Sequence, residues 1–63
     1  MKYTYRDFVT GRPRWTRAPF VGWFKDGLGI WRAVFARRHE DLLIPEYCLM
    51  KETKAALPPH NNT

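Results

Sequence analysis

The sequence predicts an α+β or mainly β fold, a small sheet or barrel of three to five short strands with a C-terminal helix over about residues 45–57. Three observations lead there. Aromatic and β-branched residues alternate near the start, in Tyr3, Tyr5 and again from Phe20, as half-buried strands require. Gly- and Pro-containing breaks at Gly11–Pro13 and Asp26–Gly29 separate the apolar runs at hairpin spacing. Pro45–Glu46 then reads as a helix start, because proline suits the first helical position and a carboxylate complements the positive helix end.

Taken in order, Lys2–Val9 is the first strand, broken by the turn Thr10–Arg14. Arg14–Phe24 resumes an extended pattern, with Pro19 excluding a helical residue before it. Strict alternation puts Phe20, Gly22 and Phe24 on one face, and Val21 and Trp23 on the other. Both faces are then apolar, so the strand is covered on two sides or partly exposed for binding. From Pro45 the helix carries Leu49, Met50, Thr53, Ala56 and Leu57 as a weak apolar stripe, and Lys51 and Lys54 suit its end. Pro58–Pro59 stops it. Residues 1–57 therefore form one small domain and 58–63 a flexible tail, where Asn61–Thr63 matches a glycosylation triplet by chance.

Residues 25–47 allow two readings. As one helix, Leu28, Trp31, Phe35 and Leu42 share a side, but Arg38 intrudes and Gly27 and Gly29 weaken the start by up to about 1 kcal/mol each. As strands, Asp26–Gly29 is a hairpin turn, Ile30–Ala36 a strand, Arg37–Asp41 a charged turn and Leu42–Ile44 a short strand. The hairpin is preferred.

The order Trp31, Ala33, Ile44, Pro45 and Tyr47 resembles the second half of a Src-homology-three type barrel, over residues 29–47. Residues 3–8 are similar to that family's aromatic first strand. Ile30 stands where the family's ligand-facing tryptophan is expected, and Leu42–Leu43 replaces the glycine before the isoleucine–proline step. Tyr47 comes one residue early, and residues 10–17 are basic where the family has an acidic loop. The resemblance implies a barrel-like shape without the family's peptide-binding role.

Sixty-three residues bury only about 60 % of their unfolded surface, so the core must be small. Nine of the ten aromatics precede residue 36, which places that core in the first two thirds. Charge is uneven: residues 1–38 hold nine basic groups against Asp7 and Asp26, a balance of +7, whereas residues 39–63 balance at −2. A basic, arginine-rich face suits an anionic partner. Cys48 is the single cysteine, which predicts a reducing, cytoplasmic setting without an intrachain disulfide. No apolar run approaches the roughly 20 residues of a membrane span, and the N-terminus lacks a signal-peptide core.

No catalytic or metal motif stands out. His39, Cys48 and His60 lack ligand spacing, and Cys48 with His39 as a nucleophile pair has little room for a pocket. No enzyme and no cofactor is therefore expected. The candidate binding residues are Arg12, Arg14, Trp15 and Arg17 around the first turn, Trp23 on the next strand, and Arg37 and Arg38 at a strand end. Gly11–Pro13 also resembles part of a minor-groove-binding hook, with Thr10 in place of its leading arginine. A solvated loop with Trp15 folded onto the core, and a charged turn with Arg37 and Arg38 satisfied by Glu40 and Asp41, are the commoner outcomes for such stretches.

Three function classes remain. The leading one is a small basic interaction protein docking on a larger protein as an accessory subunit or inhibitor, since exposed Trp, Tyr and Arg dominate interfaces. The second is a nucleic-acid module, its arginines on phosphates and Trp15 or Trp23 on bases. The third, tied to a helical 28–44, is a helix lying on a membrane surface.

Overall fold

Two hairpins, each begun by an aspartate, organise the chain. The computed structural model describes residues 1–60. It contains β1 (Tyr3–Arg6), β2 (Pro13–Thr16), β3 (Phe20–Lys25), β4 (Trp31–Phe35), β5 (Leu42–Pro45), a 3₁₀ turn (Glu46–Cys48) and α1 (Lys51–Ala56). Strands β1 and β2 pair antiparallel, and β3–β4–β5 form a second antiparallel sheet with β4 central. The fold is thus a small, mainly β structure with a short C-terminal helix.

The turns explain why these hairpins close where they do. Asp7 accepts hydrogen bonds from the Val9 and Thr10 amides, and Asp26 from those of Leu28 and Ile30. Each loop then exits through a glycine with positive φ, Gly11 at 73° and Gly29 at 81°. An L side chain resists that conformation, so glycine fixes the return of each strand. Residues 28–44 consequently form no helix; β4, a loop and β5 occupy them.

A register shift between Phe20 and Gly22 overturns the face assignment expected for β3. Strict alternation would put Phe20 beside Phe24. The irregularity instead sets Phe20 opposite Phe35 and Trp23 opposite Ala33, so Phe20 and Trp23 share the inner face while Phe24 turns out. Inside, Phe35 packs 4.9 Å from Tyr3 and 5.7 Å from Phe20, measured between ring centroids. Ala33, Ile44, Leu49 and Leu57 complete a core shared by both sheets. The expected single strand over residues 14–24 also divides: Thr16 accepts the Ala18 amide and ends β2, and β3 begins in the other sheet.

The helix expected from Pro45 begins only at Lys51. Pro45 is the last residue of β5, a position on an edge strand that needs no amide donor. After the 3₁₀ turn, Leu49 bridges Tyr5 and the Met50 amide donates to Thr4, which holds the chain extended for two residues. Six residues are too few for a helix to persist alone. Here α1 is fastened to β1 by Thr53, whose hydroxyl accepts the Thr4 amide at 2.7 Å. Beyond it, Trp23 donates to the Pro58 carbonyl and His60 stacks on Trp31. The segment expected as a tail therefore begins against the sheet; its residues 61–63 lie outside the described residues.

Candidate docking face and arginine cleft

The outer face of the β3–β4–β5 sheet carries exposed apolar side chains with Arg32 among them. Gly22, Val34 and Leu43 lie in register across the three strands, and Phe24, Arg32 and Pro45 form the next row. Phe24 is 49 % exposed, and Val21, in the irregular stretch of β3, is 62 % exposed. Diagonal neighbours across a sheet lie within reach of aromatic side chains, so Phe24, Val34 and Leu43 make one apolar patch. Phe8 at the tip of the first hairpin and Tyr47 in the 3₁₀ turn extend it past Pro45, where they line a shallow depression with Arg32 and Leu43.

Beside that patch, β5 and the first hairpin border an open cleft of about 210 Å³. Arg6, Arg14 and Arg37 line it with Asp7, Phe8 and Leu43. Asp7 orders this wall. Its carboxylate accepts two backbone amides and Arg14 at 3.0 Å, and these bonds lower its pKa from 3.8 to about 2, the Thr10 amide contributing most. Arg6 donates to the Gly11 carbonyl at 3.2 Å. Asp26 repeats the device in the second hairpin, where the Ile30 amide, then Arg32, hold its pKa below the usual value against an opposing effect of burial.

The sequence candidates fall into separate places. Arg14 and Arg37, 23 positions apart in sequence, meet at the cleft. Arg38 is exposed in the β4–β5 loop with Arg37, and among the described residues no ion pair joins either to Glu40 or Asp41. Arg12 is exposed in the first hairpin. Trp15 has not folded onto the core: it is 54 % exposed on β2, with Lys2 and Arg17 over its ring at 4.8 and 5.4 Å. Trp23 is half-buried on the inner face, with its indole N–H bonded to Pro58 and its ring against Phe20 and His60.

Phe8, Phe24, Tyr47 and Arg6 were not among those candidates. Phe8 could have been found from Asp7, because an aspartate that caps its own turn puts the next residue in a loop, and loops run over the surface. Phe24 could not, since the register shift reverses its face. The groups able to act in acid–base chemistry do not converge. Cys48 is buried, and burial raises its thiol pKa. His39 is exposed in the β4–β5 loop, and His60 pairs with Glu46 at 3.0 Å. Among the described residues no group of three His, Cys, Asp or Glu side chains is placed to hold a metal ion, and no helix is long and apolar enough to cross a membrane.

No family model, curated protein or solved structure matches the chain.

Proposed function

We propose that this chain is a small, non-catalytic interaction protein that docks on a larger protein through the outer face of β3–β4–β5. The observation that carries the reading is the apolar patch of exposed Phe24 and Leu43 with half-buried Val34 between them, beside exposed Val21, in a chain of only 63 residues. So small a protein has few apolar side chains to spare from its core, and exposed apolar patches mark interaction sites. The net charge of +5 argues for the partner's character. Two copies of this chain repel one another, whereas an acidic protein surface is attracted to it.

The membrane-surface reading rested on a helix over residues 28–44, and that segment is strand and loop. The nucleic-acid reading keeps one observation in its favour, the exposed Trp15, although the chain's own cations already sit over that ring. A pull-down after nuclease treatment, with wild type and a Val21→Glu/Phe24→Glu variant, separates these. Docking predicts a nuclease-resistant bound protein that the variant loses while its far-ultraviolet spectrum is unchanged. Capture that nuclease abolishes, or that the variant retains, refutes it; so does self-association at micromolar concentration.

A further inference from the structure

We infer that the cleft between β5 and the first hairpin is a carboxylate-binding site, which takes an acidic side chain from a short acidic-and-apolar segment of the protein partner. The inference rests on the docking reading above and adds the chemistry that recognises the partner.

Charge points to an anion. Arg6, Arg14 and Arg37 face the cleft against the single carboxylate of Asp7, leaving an excess of two positive charges. That carboxylate is already occupied by two backbone amides and Arg14. It therefore holds the wall in place without neutralising Arg37. Among the described residues Arg37 has no hydrogen-bond or ion-pair partner, and it projects from an exposed loop to the cleft's rim. A guanidinium offers a planar fork that matches a carboxylate in bidentate fashion.

Size selects a side chain over a free ligand. Pockets for cofactors and drug-sized molecules run to roughly 300–1,000 Å³. The 210 Å³ here suits one or two side chains. Composition then selects a peptide over a phosphate backbone: Phe8, Leu43, Ile44 and Pro45 share the lining with the arginines. A nucleic-acid backbone offers only its sugars to that wall, whereas a peptide alternating carboxylate and aliphatic side chains satisfies both halves. The cleft also shares Phe8, Leu43 and Pro45 with the depression that leads to the outer face, so one partner segment can run from one to the other.

The test is an amide-resolved NMR titration of the full chain with the peptide acetyl-Leu-Glu-Leu-Glu-Leu-amide and its glutamine counterpart. The glutamate peptide should shift the resonances of Phe8, Arg14, Arg37 and Leu43, and bind roughly tenfold or more tightly than the glutamine peptide. Arg37→Glu, at an exposed position, should abolish the shifts and leave the rest of the spectrum unchanged. Lys54→Glu makes the same charge change on α1, away from the cleft, and should leave binding within about twofold at moderate salt. Equal binding of both peptides, equal loss from both variants, or tighter binding of oligothymidylate at the same residues overturns the inference. The two proposals fail separately. If the peptide does not bind but Val21→Glu/Phe24→Glu still loses the partner, the carboxylate site falls and the docking face stands. If the peptide binds and that variant keeps the partner, the reverse holds.

Discussion

Replacing Phe35 and Phe24 by alanine, one at a time, tests which face of the sheet is core and which is free to dock. Phe35 is fully buried, with its ring against Tyr3 of β1 and Phe20 of β3. Truncating a buried phenylalanine costs about 3–5 kcal/mol, the removed contacts plus the cavity left behind. At roughly 0.05–0.15 kcal/mol per residue, this chain holds about 3–9 kcal/mol in all. Phe35→Ala should therefore remove most of the stability, and the purified variant should show a weak or absent cooperative transition at 25 °C. Phe35→Leu leaves a smaller cavity and keeps the protein measurable, with a loss of about 1–2 kcal/mol. With a urea dependence near 1 kcal/mol per molar, its midpoint should fall by about 1–2 M. Phe24→Ala, at a half-exposed site, should change stability by no more than about 1 kcal/mol. Urea unfolding followed by circular dichroism reads all three. Equal costs at positions 24 and 35 would refute the register shift in β3, and with it the outer face as a docking surface.

Four further outcomes follow from the geometry. The Asp7 pKa is depressed to about 2 in the folded state, so its stabilisation is complete above the unfolded value near 3.8 and is lost as pH falls from there through about 2. Carboxyl-carbon NMR should find that low midpoint, and Asp7→Asn should flatten the acid limb of the stability curve; Asp26 shifts in the same direction. Cys48, buried with a raised pKa, should react with a disulfide reagent at least about a hundredfold more slowly in the native protein than in denaturant, and a fast native reaction would place it at the surface. His60 lies 4.4 Å from Trp31 with the rings nearly parallel, so its ring protons should be shifted upfield and should return toward free-histidine values in Trp31→Ala. Trp23→Phe, which removes the bond to Pro58, should cost about 0.5–1 kcal/mol.

What the residues disclosed follows from how local each signal is. The turn at Asp26–Gly29 and the strands beside it were legible because turn chemistry and β-branched runs act over a few residues. The helix start was misplaced by local reasoning of the same kind. Pro45 and Glu46 are good opening residues, but the Leu49–Tyr5 bridge and the Met50–Thr4 hydrogen bond span more than forty positions and keep the chain extended. The facing of β3 failed for a comparable reason. One irregular residue inverts every side chain beyond it, and only the pairing partner in β4 reveals where it sits. At the site, the arginines were visible as a class, while Arg14 and Arg37 share the cleft only because the core brings β2 and the β4–β5 loop together.

The aspartates that start the two hairpins also decide which arginines remain available. Asp7 takes Arg14 and Asp26 takes Arg32, each with its backbone amides already arranged around the carboxylate. Arg6 is spent on the Gly11 carbonyl and Arg17 lies over Trp15. A net charge of +5 could describe a uniformly adhesive surface, yet these contacts sort it. The paired arginines join their guanidinium groups to the aspartates that shape the hairpin turns. Arg37 and Arg38, in the β4–β5 loop beside Glu40, make no ion pair among the described residues. On the proposed carboxylate site, selectivity would arise at the junction of the two kinds. There Arg14, paired with Asp7, would help fix where the carboxylate sits, and Arg37, without an ion pair of its own, would add attraction. Exchanging Arg14 for lysine should accordingly weaken binding of the glutamate peptide while leaving net charge unchanged, because a point charge cannot reproduce the fork that Asp7 orients.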